Sequence, residues 1–307
     1  MIQYETKRWA KIIFRVHGTV LPRILSRVAL VIQVAVVLTY AQVVLGIDIP
    51  TSSVLHSIVG VALGLLLVFR TNSSYDRFWE GRILIGAMVN ETRDLARQTA
   101  SYLVDSPFQT RERIGHYIIA LFAAIRRSLR REREAAEMAV LLSEEERVQL
   151  VGASAPPLLV ARWISDQLAI EAGAGRLSEQ RLVAMDRRIS ALIELWGGAE
   201  RILKTPVPFA YAHHIKGFLT IFCVTVPLSL LDSMGWFTPL GAAIVAYGLF
   251  GIDEIGIEIE EPFGYDDNDL PMDGIGETIA RNVSDILELE TERVVPAPQV
   301  GKAGVFR

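Results

Sequence analysis

The densest chemistry in this sequence is acidic. The stretch EEPFGYDDNDLPMDG, Glu260 to Gly274, carries six carboxylates in fifteen residues. Oxygen ligands at that density suit a hard cation such as Ca²⁺. The spacing excludes an EF-hand loop: a start at Asp269 puts Asp273 fifth and Gly274 sixth, but the twelfth residue is Ala280, where the loop needs an acid. A solvated acidic loop is the other reading. The remaining candidates for chemistry are sparse. His17, His56, His116, His213 and His214 form no HExxH arrangement, and neither GxSxG nor a phosphate-binding loop occurs. Cys223 is the only cysteine, so an intrachain disulfide and a multi-cysteine metal site are excluded. No acid–base or nucleophile constellation is visible, and an enzyme is not expected.

The elements that must carry these residues are apolar. Of 307 residues 51% are hydrophobic and 21% charged, and the charge is segregated. Between Arg27 and Arg70 the only formal charge is Asp48; between Lys216 and Asp253 it is Asp232. Each window is roughly twice the ~20 residues of a membrane helix and is split near its middle by an acid. The splits, Gly46-Ile47-Asp48-Ile49-Pro50 and Asp232-Ser233-Met234-Gly235-Trp236, read as turns. The sequence therefore predicts two helical hairpins, with spans at about 28–46, 52–70, 217–231 and 235–252. Pro227 inside the third predicts a kink or break.

Basic residues fix the expected orientation. Lys7, Arg8, Lys11, Arg15, Arg23 and Arg27 precede the first span, and the short hairpin loops hold no Lys or Arg. A multi-pass cell-membrane protein with both termini and the middle segment in the cytosol is expected. The spans carry almost no ionisable groups, which argues against a proton-coupled pump. A net charge of −4 does not suggest nucleic acid. Residues 71–215 show three- and four-residue apolar steps, with helices expected at 75–104, 108–138, 144–173 and 179–203 and stops at Pro107, Pro156-Pro157 and Pro206-Val207-Pro208. The cluster Arg126, Arg127, Arg130, Arg131, Arg133, interleaved with Glu132, Glu134 and Glu137, reads as a solvated helix face, with contact to anionic lipid headgroups second. The whole is expected to be one all-α folded unit: 1–70 as N-terminus and first hairpin, 71–215 as cytosolic helical insert, 216–252 as second hairpin, and 253–307 as helix extension, acidic loop and tail.

One apolar helix shows no stop. Phe69-Arg70-Thr71-Asn72 runs into Tyr75-Asp76-Arg77-Phe78-Trp79-Glu80-Gly81-Arg82 without a proline. With Glu261-Pro262-Phe263-Gly264 and its acidic run, in this order and spacing over nearly the whole chain, the sequence resembles the bestrophins in their bacterial form. Bestrophins are pentameric ion channels. The resemblance implies a homopentameric ring in which the second span lines the pore and continues into a cytosolic vestibule.

The resemblance also implies residues. The family's neck is three apolar rings four residues apart; counted back from Arg77 they fall on Val61, Leu65 and Phe69. Such rings can gate by dewetting. From the residues alone, lipid contact or packing is the default for this face. Gly60 and Gly64 form a GxxxG that suits close packing against a neighbour. The family's cytosolic aperture corresponds to Ile189, otherwise an ordinary core isoleucine. In animal bestrophins the acidic run belongs to a Ca²⁺ clasp, matched here by Asp266 and Asp269; Tyr265 stands where those relatives carry an acid, and Asn268 interrupts the run. Both aspartates are expected to stabilise the end of the fourth span, with Ca²⁺, Lys7, Arg8 or solvent neutralising the loop. The function so implied is passive conduction of small monovalent ions through an apolar neck. Chloride is the ion of animal relatives, and the acidic background slightly favours cations here. The alternative is a membrane scaffold or receptor whose helical bundle recruits a partner; a lipid-modifying enzyme ranks third.

Overall fold

The computed structural model describes residues 7, 9–15, 18–49, 53–132 and 138–290. Among them every regular element is helical. They are α1 (Trp9–Ile13), α2 (Leu21–Val43), α3 (Ser53–Tyr102), α4 (Phe108–Leu129), α5 (Glu144–Gly152), α6 (Pro156–Gly173), α7 (Glu179–Lys204), α8 (Phe209–Met234), α9 (Thr238–Glu258) and α10 (Met272–Leu287). Arg8, His17, Pro50, Arg133, Glu134, Glu137 and the tail beyond 290 lie outside the described residues.

The helices fall into two compact units. The apolar unit comprises the described residues up to Phe78 together with Pro206–Glu261. Here α2, α8 and α9 pack on one another. Helix α2 buries Ile24, Val28, Val31, Ala35 and Thr39, a repeat of three and four that gives one helix face. Leu63 and Leu67 of α3, Phe222, Cys223 and Val226 of α8, and Ala242, Ala246 and Phe250 of α9 complete the core. Small residues on α9 allow close approach where no solvent drives packing.

Both expected turns are present. The backbone takes a positive φ at Gly46 (64°) and at Gly235 (49°), conformations open to glycine without strain. A single 3₁₀ turn, Gly235–Phe237, joins α8 to α9. At this end of the unit Gln42 donates to the Asp232 carboxylate at 3.0 Å, so the two hairpin tips lie on the same side of the apolar unit. Helix α8 is longer than expected, 26 residues, and runs through Pro227 without a break. The proline removes one donor, and its neighbours in an apolar bundle hold the helix through it. Three stretches are long and apolar enough to cross a membrane: Leu21–Val43, Ser53–Tyr102 and Phe209–Glu258, the last divided by the turn at Gly235.

The polar unit comprises Trp79–Thr205 and the described residues from Pro262 on. Helix α4 is its centre, buried at twelve positions from Ile114 to Leu129 and packed by α6, α7 and α10. It ends at Leu129 rather than near 138: Arg131 adopts φ 59°, a left-handed conformation that terminates a helix. The expected helix over 144–173 is two, α5 and α6, separated at Ala153–Ala155 before Pro156-Pro157. Ser143 and Glu146 form a reciprocal capping box at the start of α5.

Candidate ion pathway and its supports

Helix α3 carries two opposed stripes. Leu63, Leu67, Arg70 and Ser74 are each at most 2% exposed, at steps of four, three and four. Val61, Leu65 and Phe69 are 68%, 56% and 65% exposed. Two residues along a helix is about 200° of rotation, so the stripes face opposite ways. The three candidate neck residues thus share one open face, each about 6 Å further along the axis than the last. Seven residues beyond Phe69 on that face stands Asp76, also exposed. Of the GxxxG pair, Gly60 packs against α8, where an added Cβ would lie 3.2 Å from the Phe222 ring, whereas Gly64 has nothing within 4 Å.

What holds the buried stripe is electrostatic as well as apolar. Arg70 pairs with Asp253 of α9, and both side chains are 2% exposed. Two further arginines meet α9: Arg27 reaches Glu254 at 3.0 Å and Arg23 reaches Glu258 at 3.8 Å. Both members of these pairs step by four residues, so α2 and α9 run a two-rung antiparallel ladder. Glu260 closes the belt: one carboxylate oxygen lies 3.9 Å from Arg70, the other accepts from the Val207 N–H at 3.1 Å, and its carbonyl accepts from Arg77 Nε at 3.2 Å. These groups lie at the end of the spans away from the tips. Sequence reasoning took Arg23 and Arg27 as topology signals and missed their partners. The matching i, i+4 spacings of Arg23/Arg27 and Glu254/Glu258 were the available clue.

In the polar unit, the two halves of the sequence resemblance meet. Gly81 faces Pro262 and Phe263, and a Cβ there would lie 2.9 Å from the Pro262 ring and 3.1 Å from the Phe263 ring. Only glycine lets that loop sit against α3. Gly264 in turn lies so close to Asp269 that a Cβ would come within 2.7 Å of its Oδ2.

The other candidate residues belong to the polar unit. Ile189 of α7 is 4% exposed and lines a groove of about 860 Å³ with Leu158 and Arg162 of α6. Asp269 is buried, and its Oδ2 accepts the Asp266 N–H at 2.8 Å; Asp266 itself is exposed. Among the described residues no three His, Cys, Asp or Glu side chains converge as a metal site would require. The carboxylates of Asp266 and Asp269 alone supply fewer oxygens than the six to eight that Ca²⁺ takes.

Three arginines of the cluster at the end of α4, Arg126, Arg127 and Arg130, do not form a solvated face, whereas Arg131 is exposed. Arg127 is buried, and Arg126 and Arg130 both donate to Asp273 at 2.8 Å. At Asp273, therefore, the acidic stretch is met by Arg126 and Arg130; Arg8, one of the neutralising groups considered from the sequence, lies outside the described residues.

Comparison with known proteins agrees with this architecture. Residues 1–285 match the family described as Bacterial/Fungal Bestrophin protein. A voltage-dependent anion channel-forming protein of Nostoc sp. is 39% identical over 92% of this chain and 93% of its own length. The voltage-dependent anion channel-forming protein YneE of Escherichia coli K12 is 31% identical, covering 97% and 96%. The crystal structure of a bacterial bestrophin homologue from Klebsiella pneumoniae superimposes with a TM-score of 0.79 at 29% identity, over 89% of this chain and all of that one.

Proposed function

The chain belongs to the bacterial and fungal bestrophin family, and from that premise we propose that it forms a passive ion channel as a closed homopentameric ring in the cell membrane. The observation that carries the proposal is the open face of α3. Val61, Leu65 and Phe69 are large, apolar and exposed in the single chain while the opposite stripe is fully buried. A row of bare apolar side chains on a helix needs lipid, a neighbour or a narrow pore beside it. One chain's helices cannot enclose a path, and rings are how identical subunits do so.

In the assembled ring these residues form three apolar constrictions, wetting and dewetting as the neck opens and closes. Four spans follow from dividing the last apolar stretch at Gly235. The shared side of both tips supports a topology with tips outside and termini, middle helices and acidic loop in the cytosol. Lipid covers the outward faces of α2, α8 and α9.

The relatives' names favour anions. Selection then rests on size and hydration, because the neck is uncharged. A second reading, cation passage, is favoured by Asp76: in a ring it would place five carboxylates about 10 Å beyond Phe69, a distance of seven residues of helix. A reversal potential under a salt gradient separates the two readings by its sign.

The channel reading is tested by Leu65→Ala combined with Phe69→Ala. Both side chains are exposed, so the fold should persist while conductance or open probability rises. Unchanged conductance would assign the face to lipid; a monomer by mass in detergent, or liposomes that stay tight to ions, would return the protein to the scaffold reading. An aperture at Ile189 is separately testable. Ile189→Ala should widen the path with its neck unchanged; a loss of stability of about 2–5 kcal/mol with no conductance change would mark it as a core residue.

A further inference from the structure

The acidic loop between α9 and α10 already holds a cation, and that cation is a side chain. Arg130 lies under the loop with its side chain only 3% exposed. Its NH1 donates to both oxygens of Asp273, at 2.8 and 2.9 Å. Its Nε donates to the Phe263 carbonyl at 3.3 Å. Its guanidinium carbon stands 4.1 Å from the centre of the Tyr265 ring. A second arginine, Arg126, donates to Asp273 at 2.8 Å. Within the loop the Asp269 N–H donates to the Asp266 carbonyl at 3.0 Å, the Asp269 carboxylate accepts the Asp266 N–H, and the Leu270 N–H donates to the Pro262 carbonyl at 2.9 Å.

We infer that Arg130 is the resident cation of this loop, holding it shut without a divalent ion. Tyr265 is the telling position. An acid there would add a donor for a metal; a tyrosine removes that donor and presents a π face, which attracts a guanidinium. The planar fork of arginine then satisfies a carboxylate and a carbonyl at once, as a lysine could not. A divalent ion brought beside Asp273 would meet two arginines of like charge and carboxylate oxygens already accepting hydrogen bonds. Helix α4, the loop and α10 are pinned together as one permanently closed latch.

The test uses the full chain purified in detergent and melted with excess Ca²⁺ or with chelator. The expected result is the same Tm in both. Arg130→Gln should lower Tm by about 5 °C, and Arg130→Lys, which keeps charge but loses the fork, should recover only part of the drop. Two results overturn the inference: a parent Tm that rises with Ca²⁺, since a ligand of the folded state alone must stabilise it, or an Arg130→Gln protein that melts like the parent. If Arg130→Gln does not fold, the parent comparison and Arg130→Lys still decide. None of these readouts requires ion conduction, so a failed latch and a failed channel are told apart.

Discussion

Two arginine clusters in this chain meet carboxylates, and they are built on opposite plans. In the apolar unit the partners are spread out: Arg23, Arg27 and Arg70 each take a different acid of α9, and Arg70 has Glu260 at 3.9 Å besides. In the polar unit the pairing is two to one, with Arg126 and Arg130 sharing Asp273. The first plan gives each arginine its own acid on α9, at successive positions along that helix. The second is redundant. Burial sharpens the contrast, because a lost partner matters most where water cannot replace it. Arg70 and Asp253 are sealed, whereas Arg23 and Arg27 are about two-fifths exposed.

The most severe break should come at the sealed pair. Arg70→Met strands Asp253 as a buried charge and should cost about 3–5 kcal/mol. Adding Asp253→Leu should recover most of the loss, since apolar replacement of a whole buried pair is often neutral. Denaturation of the detergent-solubilised protein checks both. A double variant no better than the single would mean that the pair contributes more than neutralisation.

A third acid–arginine site extends the comparison into the polar unit. Glu171 is buried between α6 and the loop after it; Arg176 donates to both its oxygens at 2.6 and 2.8 Å, and Ser106 donates as well. The Arg176 hydrogen bonds, and then that from Ser106, hold its carboxyl below the ordinary range, against the opposing effect of burial. A lowered folded value means that stability is present in full above the ordinary carboxylate range and is lost as the pH falls through the folded value. Glu171→Gln should therefore cost about 2 kcal/mol at neutral pH, with the difference from the parent shrinking in acid. A difference that persisted in acid would exclude titration of Glu171 as its source.

Redundancy predicts a smaller effect at Arg126. Arg126→Gln leaves Asp273 with both Arg130 bonds, so the cost should be about 1 kcal/mol. Smallest of all is Arg23→Gln. Its contact is long, 3.8 Å, and its side chain is 41% exposed, so screening should hold the effect to within ~0.5 kcal/mol. If Arg126 and Arg23 ranked above Arg70, the contrast between sealed and redundant plans would be wrong.

Local signals were legible in the sequence and distant ones were not. Charge-free windows announced the apolar helices, the glycines at 46 and 235 announced the tips, and the missing proline announced the unbroken run of α3. Period and punctuation act within a few residues, so one chain displays them. The belt depended on groups 183 residues apart in Arg70 and Asp253, and the latch on groups 143 apart in Arg130 and Asp273. A helical period says which residues share a face but not which helix that face meets. Hence the arginines at the end of α4 looked like a wet surface, when their partner was Asp273 in the first turn of α10. The neck residues were selected by likeness to a family. The structure adds that they share one open face, which apolar character alone could not distinguish from the buried one.

Phe69 and Arg70 are adjacent in the chain yet belong to opposite stripes of α3, one 65% exposed and the other 2%. Every residue added to a helix rotates the turns beyond it by about 100°. A single insertion between Leu67 and Arg70 would swing Arg70 away from Asp253 or carry Val61 and Leu65 off the open face. This stretch tolerates changes of letter far better than changes of count. No such phase is kept at Gly46 or Gly235, where nothing lies within 4 Å of an added Cβ. Differences in length among relatives should therefore gather at the two tips and leave residues 61–74 the same number long.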